Sequence, residues 1–450
     1  MSTTVTGGTE TALFALLESL RDTQPEQPLL VIGLKRHIHE LDPLLGSKVE
    51  RLVWPATYSW FVSDEAREKR YSPAFQRVAA ALGPLSRRVM PAIHRRFFER
   101  PLSARAAAWA RRGFGLNYAV SLGWRLYAGL RYGNATLSRA AADRLLRHRG
   151  VSVVHFPYPH HFDSSVPFVY EPWGLPHIHQ PEMFSPAEAE WMDRLFRHGC
   201  QTAAMVVTAT RWVKNDIVQR YGIDPAKVAV IPRRPPVFTG NVDGVDLPAG
   251  VPAEFALFPS VTWPTKNHIR LLRAVALLRD QKNLRVNLVC TGRTKTANWP
   301  DIKAEWERLG LQDQVLFTGS IPLEQLVALF KKAKYLVHPS TFEGLGLPLI
   351  EAFQYGLPVL SSTSACKPEV VGDAAILFDA LDEADIARAM AEAEQSPERL
   401  RDLAEAGRRR LVEAFPNPEK MARMFMAVYR HAAGWSLDAD QAALLDEMLT

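Results

Sequence analysis

Cysteine is scarce in this chain: 450 residues hold three, Cys200, Cys290 and Cys366. They are odd in number, far apart and never in a C-x-x-C pair. That argues against a disulfide framework or a cysteine-based zinc site, and for a reducing compartment. Long apolar runs are also missing, since none approaches the roughly 18–20 residues that span a bilayer. The first apolar stretch is broken by Glu10 and Glu18, and no basic region precedes it. No ordinary secretory signal is therefore expected, and the reading is a cytoplasmic protein. Asp-x-Asp, a common cation-binding pattern, occurs once, as Asp438-Ala439-Asp440 near the C-terminus. It reads as a solvated tail, so neither a resident metal nor a cofactor is expected. Lysine is absent between Ser86 and Gly150, where 14 arginines face only Glu99 and Asp143. That segment carries +12 in a chain whose total is +6, which leaves −6 for the rest. A basic feature this local points to an anionic partner.

What is present is a globular composition. Hydrophobic residues make up 47% and charged residues 23%, enough apolar material for a large core and too little charge for a disordered chain. Short β-branched runs recur at Leu29–Ile32, Val151–His155, Pro167–Tyr170, Met205–Thr208, Val228–Ile231, Leu284–Cys290, Val315–Thr318, Tyr335–His338 and Pro358–Ser361. Between many of them lie stretches with apolar spacing of three and four. This alternation predicts α/β architecture with parallel sheets covered by helices on both faces. In such sheets ligands bind beyond the carboxyl ends of the strands. The clearest boundary is 232–255, with prolines at 232, 235, 236, 248 and 252 and glycines at 240, 244 and 250. It divides the chain into an N-terminal domain over 1–235, a linker over 236–254, a C-terminal domain over 255–415 and a C-terminal helix and tail over 416–450.

The most informative stretch is HPSTFEGLGLPLIE, His338 to Glu351. A strand runs into a turn, then Glu343, Gly344 and Gly346. Pro348 suits a first helical turn, and Gly356 suits a C-cap. Strand, glycine loop and helix N-terminus make an anion site. Glu343 and Glu351, eight residues apart, face different parts of one ligand, and a carboxylate accepts well from paired hydroxyls. Taken alone, both glutamates also fit a simple preference for the positive end of a helix.

The surroundings of the two glutamates resemble the E-x7-E signature of retaining GT-B glycosyltransferases of family 4. The resemblance is strong from about Pro259 to Phe378 and runs through VLFTGSIPLEQLVALFKKAKYLVHPSTFEGLGLPLIEAFQYGLPVLSSTSACKPEVVGDAAILF. It implies a GT-B fold, two Rossmann-like doubly wound domains facing a central cleft. It also implies site roles. Glu351 would bind ribose hydroxyls and Glu343 the donor sugar. Gly344, Gly346 and Leu347 would present N–H groups to the diphosphate or sugar, and the strand end at Phe317 to Ser320, with Gly319, would hold the base. FPSVTWPTKNH, residues 258–268, matches the family loop whose basic pair neutralises the diphosphate. Lys266 falls on the family lysine and Ser260 on the usual arginine, so Arg293 is the candidate replacement. The W-P-x-K-N-H form leans towards hexosyltransferases of polysaccharide assembly, mannosyltransferases among them.

In the N-terminal half, PFVYEPWGLPHIHQPEMFS, residues 167–185, resembles the family's W-D-L-Q-H segment, with Gly174 and Pro176 in place of Asp and Gln. His177 or His179 would meet the sugar or the acceptor hydroxyl, unless both are packing or surface histidines. Gly7 and Gly8 resemble the family's acceptor-side Gly-Gly loop but lie too close to the start. A strand that normally precedes them would have to begin upstream of Met1, or be truncated or absent. Residues of about 86–150 form a basic, aromatic insertion, read either as a peripheral contact with an anionic membrane or as helical packing rimmed by arginine. No motif for nucleic acid accompanies the charge.

The expected protein is a retaining glycosyltransferase. It would move a hexose, mannose being favoured, from a nucleotide diphosphate sugar to a hydroxyl of a glycan or lipid-linked acceptor in polysaccharide biosynthesis, at the inner face of a membrane. Glu343, Lys266 and His177 are its catalytic candidates. The rival readings are a non-catalytic nucleotide-sugar-binding homologue and a GT-B nucleotide-sugar epimerase.

Overall fold

The computed structural model describes residues 15–20, 29–33, 49–53 and 139–450, apart from 163, 237 and 239. Gly7 and Gly8, the chain before them, and the basic insertion up to residue 138 lie outside the described residues.

Twelve strands are described. β1 (Leu29–Gly33) and β2 (Val49–Val53) form a parallel pair. β3 (Val154–Phe156), β4 (Phe168–Tyr170), β5 (Met205–Thr208) and β6 (Val228–Val230) make a parallel sheet in that order. The C-terminal half holds β7 (Ala256–Pro259), β8 (Leu288–Thr291), β9 (Val315–Gly319), β10 (Tyr335–His338), β11 (Val359–Ser362) and β12 (Ala375–Phe378). Its order is β9-β8-β7-β10-β11-β12, parallel throughout. That is the 3-2-1-4-5-6 order of a dinucleotide-binding sheet.

These strands read as apolar runs because both faces are covered. Alternate residues enter different cores. Ala256, Phe258, Tyr335 and Val337 join Leu271, Val275 and Met390 on one face. Leu257, Leu336 and Val359 join Leu329, Ile350 and Phe353 on the other. Each such buried side chain contributes about 1.5–3 kcal/mol relative to exposure. The order reverses between β7 and β10, the kind of switch point beyond which ligands bind in open α/β sheets. Lys266 follows β7, and Glu343 follows β10.

In the N-terminal half, helix Pro186–Thr202 starts with a capping box of Ser185 and Glu188. Helix Pro418–Ala432 returns to this half, laying Met421, Phe425 and Val428 against Val169, Met205, Val207 and Ile231. The next stretch differs from the expected tail. Residues 439–449 form a helix, capped by Asp438 in a box with Gln441, and Asp440 pairs with Arg423 at 3.0 Å. The Asp-x-Asp is thus a helix start, spent on backbone N–H groups and an arginine. β2 and β12 were also not anticipated; each is short and lacks alternation.

Candidate functional site

The loop after β7 forms a short turn of helix, Pro264–Lys266, ending at Asn267 in the left-handed region. Asn267 is buried, and its amide donates to the carbonyls of Pro339, at 3.0 Å, and Ala380, at 2.7 Å. Thr341 N–H donates to the Thr265 carbonyl at 2.8 Å. The loops after β7 and β10 are therefore laced together by the Asn267 side-chain amide and one backbone hydrogen bond. This lacing carries the Lys266 ammonium to 2.5 Å from Glu343 Oε1.

Glu343 sits among positive charge. Burial pushes its carboxyl up, but Lys266, then His338, then Lys367 outweigh burial and hold it at about 2. His338 Nε2 lies 3.6 Å from Glu343 Oε1. Its imidazole is fully buried and burial keeps it neutral, its pKa lowered to about 3. Neither ring nitrogen of His338 has a hydrogen-bond partner.

Helix Leu347–Tyr355 begins at Gly346, which has φ +79° and no side-chain cap, and ends at Gly356 with φ +68°. Pro348 has no N–H and the Leu349 N–H bonds the Gly346 carbonyl at 2.9 Å, which leaves the Leu347 N–H without an intrahelical acceptor. Glu351 lies in the second turn of this helix. Among the described residues its carboxylate meets no hydrogen-bond partner, and burial pushes it up to about 7. An ionisable group left half-buried and unpaired costs stability, so it marks a place where a ligand would repay that cost.

Three further candidates lie on β9 and after β8. Phe317 is half-buried and packs on Trp299 and Trp306, with ring centroids 5.1 and 5.5 Å away, against the core. Gly319, at the end of β9, has φ +71° and open space at its Cβ position. Arg293 is exposed, and its carbonyl accepts from Thr262 N–H at 3.2 Å.

His177 is a correction. It is 3% exposed and turned into the N-terminal domain, edge-on to Phe196 with Tyr221 OH at 3.4 Å and Asp193 at 3.8 Å. The cause is a short helix, Pro176–His179. Two residues along a helix turn by about 200°, so His177 and His179 face opposite ways. His179 meets the other half instead. Its ring stacks on Phe342 at 5.3 Å while Nε2 bonds Asp216 at 2.7 Å.

The halves touch at this place. Gln180 donates to Thr341, and Thr210 Oγ1 donates to the Gly344 carbonyl at 3.3 Å. A Cβ at Gly344 would stand 2.3 Å from the Trp173 carbonyl oxygen, so only glycine permits this approach. Glu369 accepts N–H groups of Arg211 and Trp212 at 2.7 Å each.

Two side chains of the site escaped the sequence reading. His338 ends β10, and Lys367 opens the short helix Lys367–Val371 after β11; both are wholly buried.

The fold matches that of solved glycosyltransferase structures. HepE of Anabaena, solved with UDP and glucose, superposes with a TM-score of 0.58 at 17% identity, covering 94% of this chain and 96% of that one. A glycosyltransferase of Rickettsia africae gives 0.53 at 14% identity, with 95% of each chain covered. The chain is 31% identical over 237 residues to an MMP alpha-(1->4)-mannosyltransferase of Mycolicibacterium hassiacum, covering 50% of this chain and 54% of that protein. It is 27% identical over 211 residues to the O-antigen chain mannosyltransferase B of Escherichia coli, covering 44% and 54%. The chain thus spans about half the length of these curated relatives. The profile of glycosyl transferases group 1 matches residues 248–410, and that of glycosyltransferase family 4 matches 118–233. The chain has the GT-B fold, with one glycosyltransferase family profile matching residues 118–233 and another matching residues 248–410.

Proposed function

We propose that this chain transfers a hexose from a nucleotide diphosphate sugar to a hydroxyl of a glycan or lipid-linked acceptor, with retention at the anomeric carbon. The observation that carries the reading is the Lys266–Glu343 pair at the point where the strand order reverses. The Glu351 carboxylate would accept from ribose hydroxyls. Lys266 and the helix start at Gly346 and Leu347 would face the diphosphate, and Glu343 the sugar. Such charge, held in place before reaction, lowers the barrier to leaving-group departure.

In this reading the acceptor oxygen bonds to the anomeric carbon from the face the diphosphate leaves. The carbon–oxygen bond to phosphate breaks, and the departing phosphate oxygen takes the hydroxyl proton. No protein nucleophile is needed. His179, stacked on Phe342 at the junction of the halves, is the acceptor-side candidate.

Mannose is favoured as the sugar because the mycobacterial and O-antigen relatives above are named as mannosyltransferases. Polysaccharide assembly fits the same names. We place the reaction in the cytoplasm, at the inner face of the membrane. Among the described residues no helix is long and apolar enough to cross a membrane. The charge of residues 86–150 would instead hold the protein on anionic lipid, at about 1 kcal/mol per arginine near the surface. Salt-sensitive pull-down by anionic but not neutral vesicles tests that part.

The main test is a thermal-shift screen with GDP-mannose, UDP-glucose and related donors, since binding to the native state alone raises the midpoint. Nucleotide diphosphate release that needs an acceptor, with an α-linked product by NMR, supports the reading. Binding without release in any acceptor extract supports the non-catalytic homologue instead.

A further inference from the structure

Glu343 has more positive charge around it than one carboxylate needs. Lys266 reaches it from a loop and is 17% exposed along its side chain. Lys367, in the loop after β11, is fully buried, at 0% exposure. Its Nζ donates to the Ser340 carbonyl at 2.6 Å, and Ser362 Oγ donates to the same oxygen at 2.7 Å. The thiol of Cys366 donates to the Glu343 carbonyl at 3.1 Å. The loop after β11 thereby grips both ends of the 340–343 segment. Burial lowers Lys367 more than the nearby Glu343 carboxylate raises it, which leaves the ammonium at about 8. His338 also faces Glu343 but is held neutral by burial.

The two lysines are not equivalent. An ammonium at a loop surface on a flexible stem is free to move to a new anion. A buried ammonium tethered to a backbone carbonyl is not, because leaving that carbonyl without a new partner costs the full desolvation penalty. A diphosphate at the reversal point would compete with Glu343 for Lys266. Glu343 would then be a buried carboxylate that has lost its nearest cation, and its own burial favours protonation.

We propose that Lys367 is a positioning residue that keeps Glu343 ionised and in place when the donor's phosphates draw Lys266 away. The inference rests on the donor reading above for its catalytic consequence, but its electrostatic part is independent of that reading.

The test uses Lys367→Met, which removes the charge at similar length. Ser362 still donates to the Ser340 carbonyl, so the loop keeps an anchor. The first arm needs no donor. With ε-labelled lysine and NMR on the full chain, the resonance lost in Lys367→Met should titrate near pH 8 in the parent. It should move at least half a unit lower in Glu343→Gln, where the supporting anion is gone. A resonance titrating as an ordinary lysine, or unmoved in Glu343→Gln, overturns the proposal.

The second arm measures kcat against pH at saturating GDP-mannose or UDP-glucose. In Lys367→Met the acid limb should rise by at least one unit, so that at pH 5 the variant keeps a tenth or less of its pH 8 rate relative to the parent. Affinity for free GDP or UDP should stay within twofold. An unmoved acid limb, or an equal loss of nucleotide affinity, makes Lys367 a structural tether only and overturns the proposal. If the parent releases nucleotide from no donor, the proposed function fails while the first arm still decides this inference.

Discussion

Glu369 accepts the backbone N–H of Trp212 at 2.7 Å, across the junction between the two halves. Its second oxygen takes the N–H of Arg211 at the same distance, and Thr210 Oγ1 takes the N–H of Val213. The first three donors of helix Arg211–Tyr221 are thus satisfied, two of them by the opposite domain. A carboxylate also suits the positive end of a helix. This contact holds the halves in their present closure.

Glu369→Ala should therefore loosen the junction. Hydrogen bonds to a charged group are worth about 1.5–3 kcal/mol each, so the thermal midpoint should fall. The radius of gyration from solution scattering should rise. An unchanged radius and midpoint would mean that the contact contributes nothing to closure.

Gly344→Ala should act at the same seam by crowding. The new Cβ meets the Trp173 carbonyl, a backbone group that cannot swing aside. Misplacement by about 1 Å costs on the order of 100-fold in rate when groups must be aligned. Turnover should fall by that order while far-ultraviolet dichroism stays native. Wild-type turnover would show that the halves do not act in this closure.

The C-terminal site was legible in sequence because its parts are local. Glu343, Gly346, Leu347 and Glu351 belong to one loop and one helix, and their order along the chain is their order in space. Lys266 was legible because it falls on the lysine of the family loop that 258–268 resembles, and the loop after β7 lies beside the loop after β10. Lys367 was not, because its position depends on a buried path beneath another loop, which no periodicity records. His177 was misread for a related reason. A strand-end loop was foreseen, but a four-residue helix inside it decides which histidine faces inward. Glu369 stayed hidden because its partners are backbone N–H groups of another domain, and these carry no side-chain signature.

Glu351 predicts a pH dependence. Its folded pKa, near 7, lies above the ordinary carboxyl value. Between those values the folded protein holds more protons than the unfolded chain, so this group's contribution to stability falls as pH rises through that window. Ribose binding favours the ionised form. Nucleotide affinity should therefore weaken about tenfold per pH unit as pH falls below 7. Calorimetry with UDP or GDP measures it, and Glu351→Gln, which cannot ionise, should lose that component and bind more weakly throughout. An identical pH profile in parent and variant would show that Glu351 does not contact the ligand.

The central claim is that Glu343 serves the transferred sugar and not the nucleotide. Its most direct test is nucleotide diphosphate release, with calorimetry of free nucleotide, in the parent and in Glu343→Gln. The account predicts a loss of about 100-fold or more in kcat, the scale of removing one placed electrostatic group, with nucleotide affinity changed only a few-fold. A Glu343→Gln protein that turns over as fast as the parent, or one whose nucleotide affinity falls as far as its rate, would contradict it.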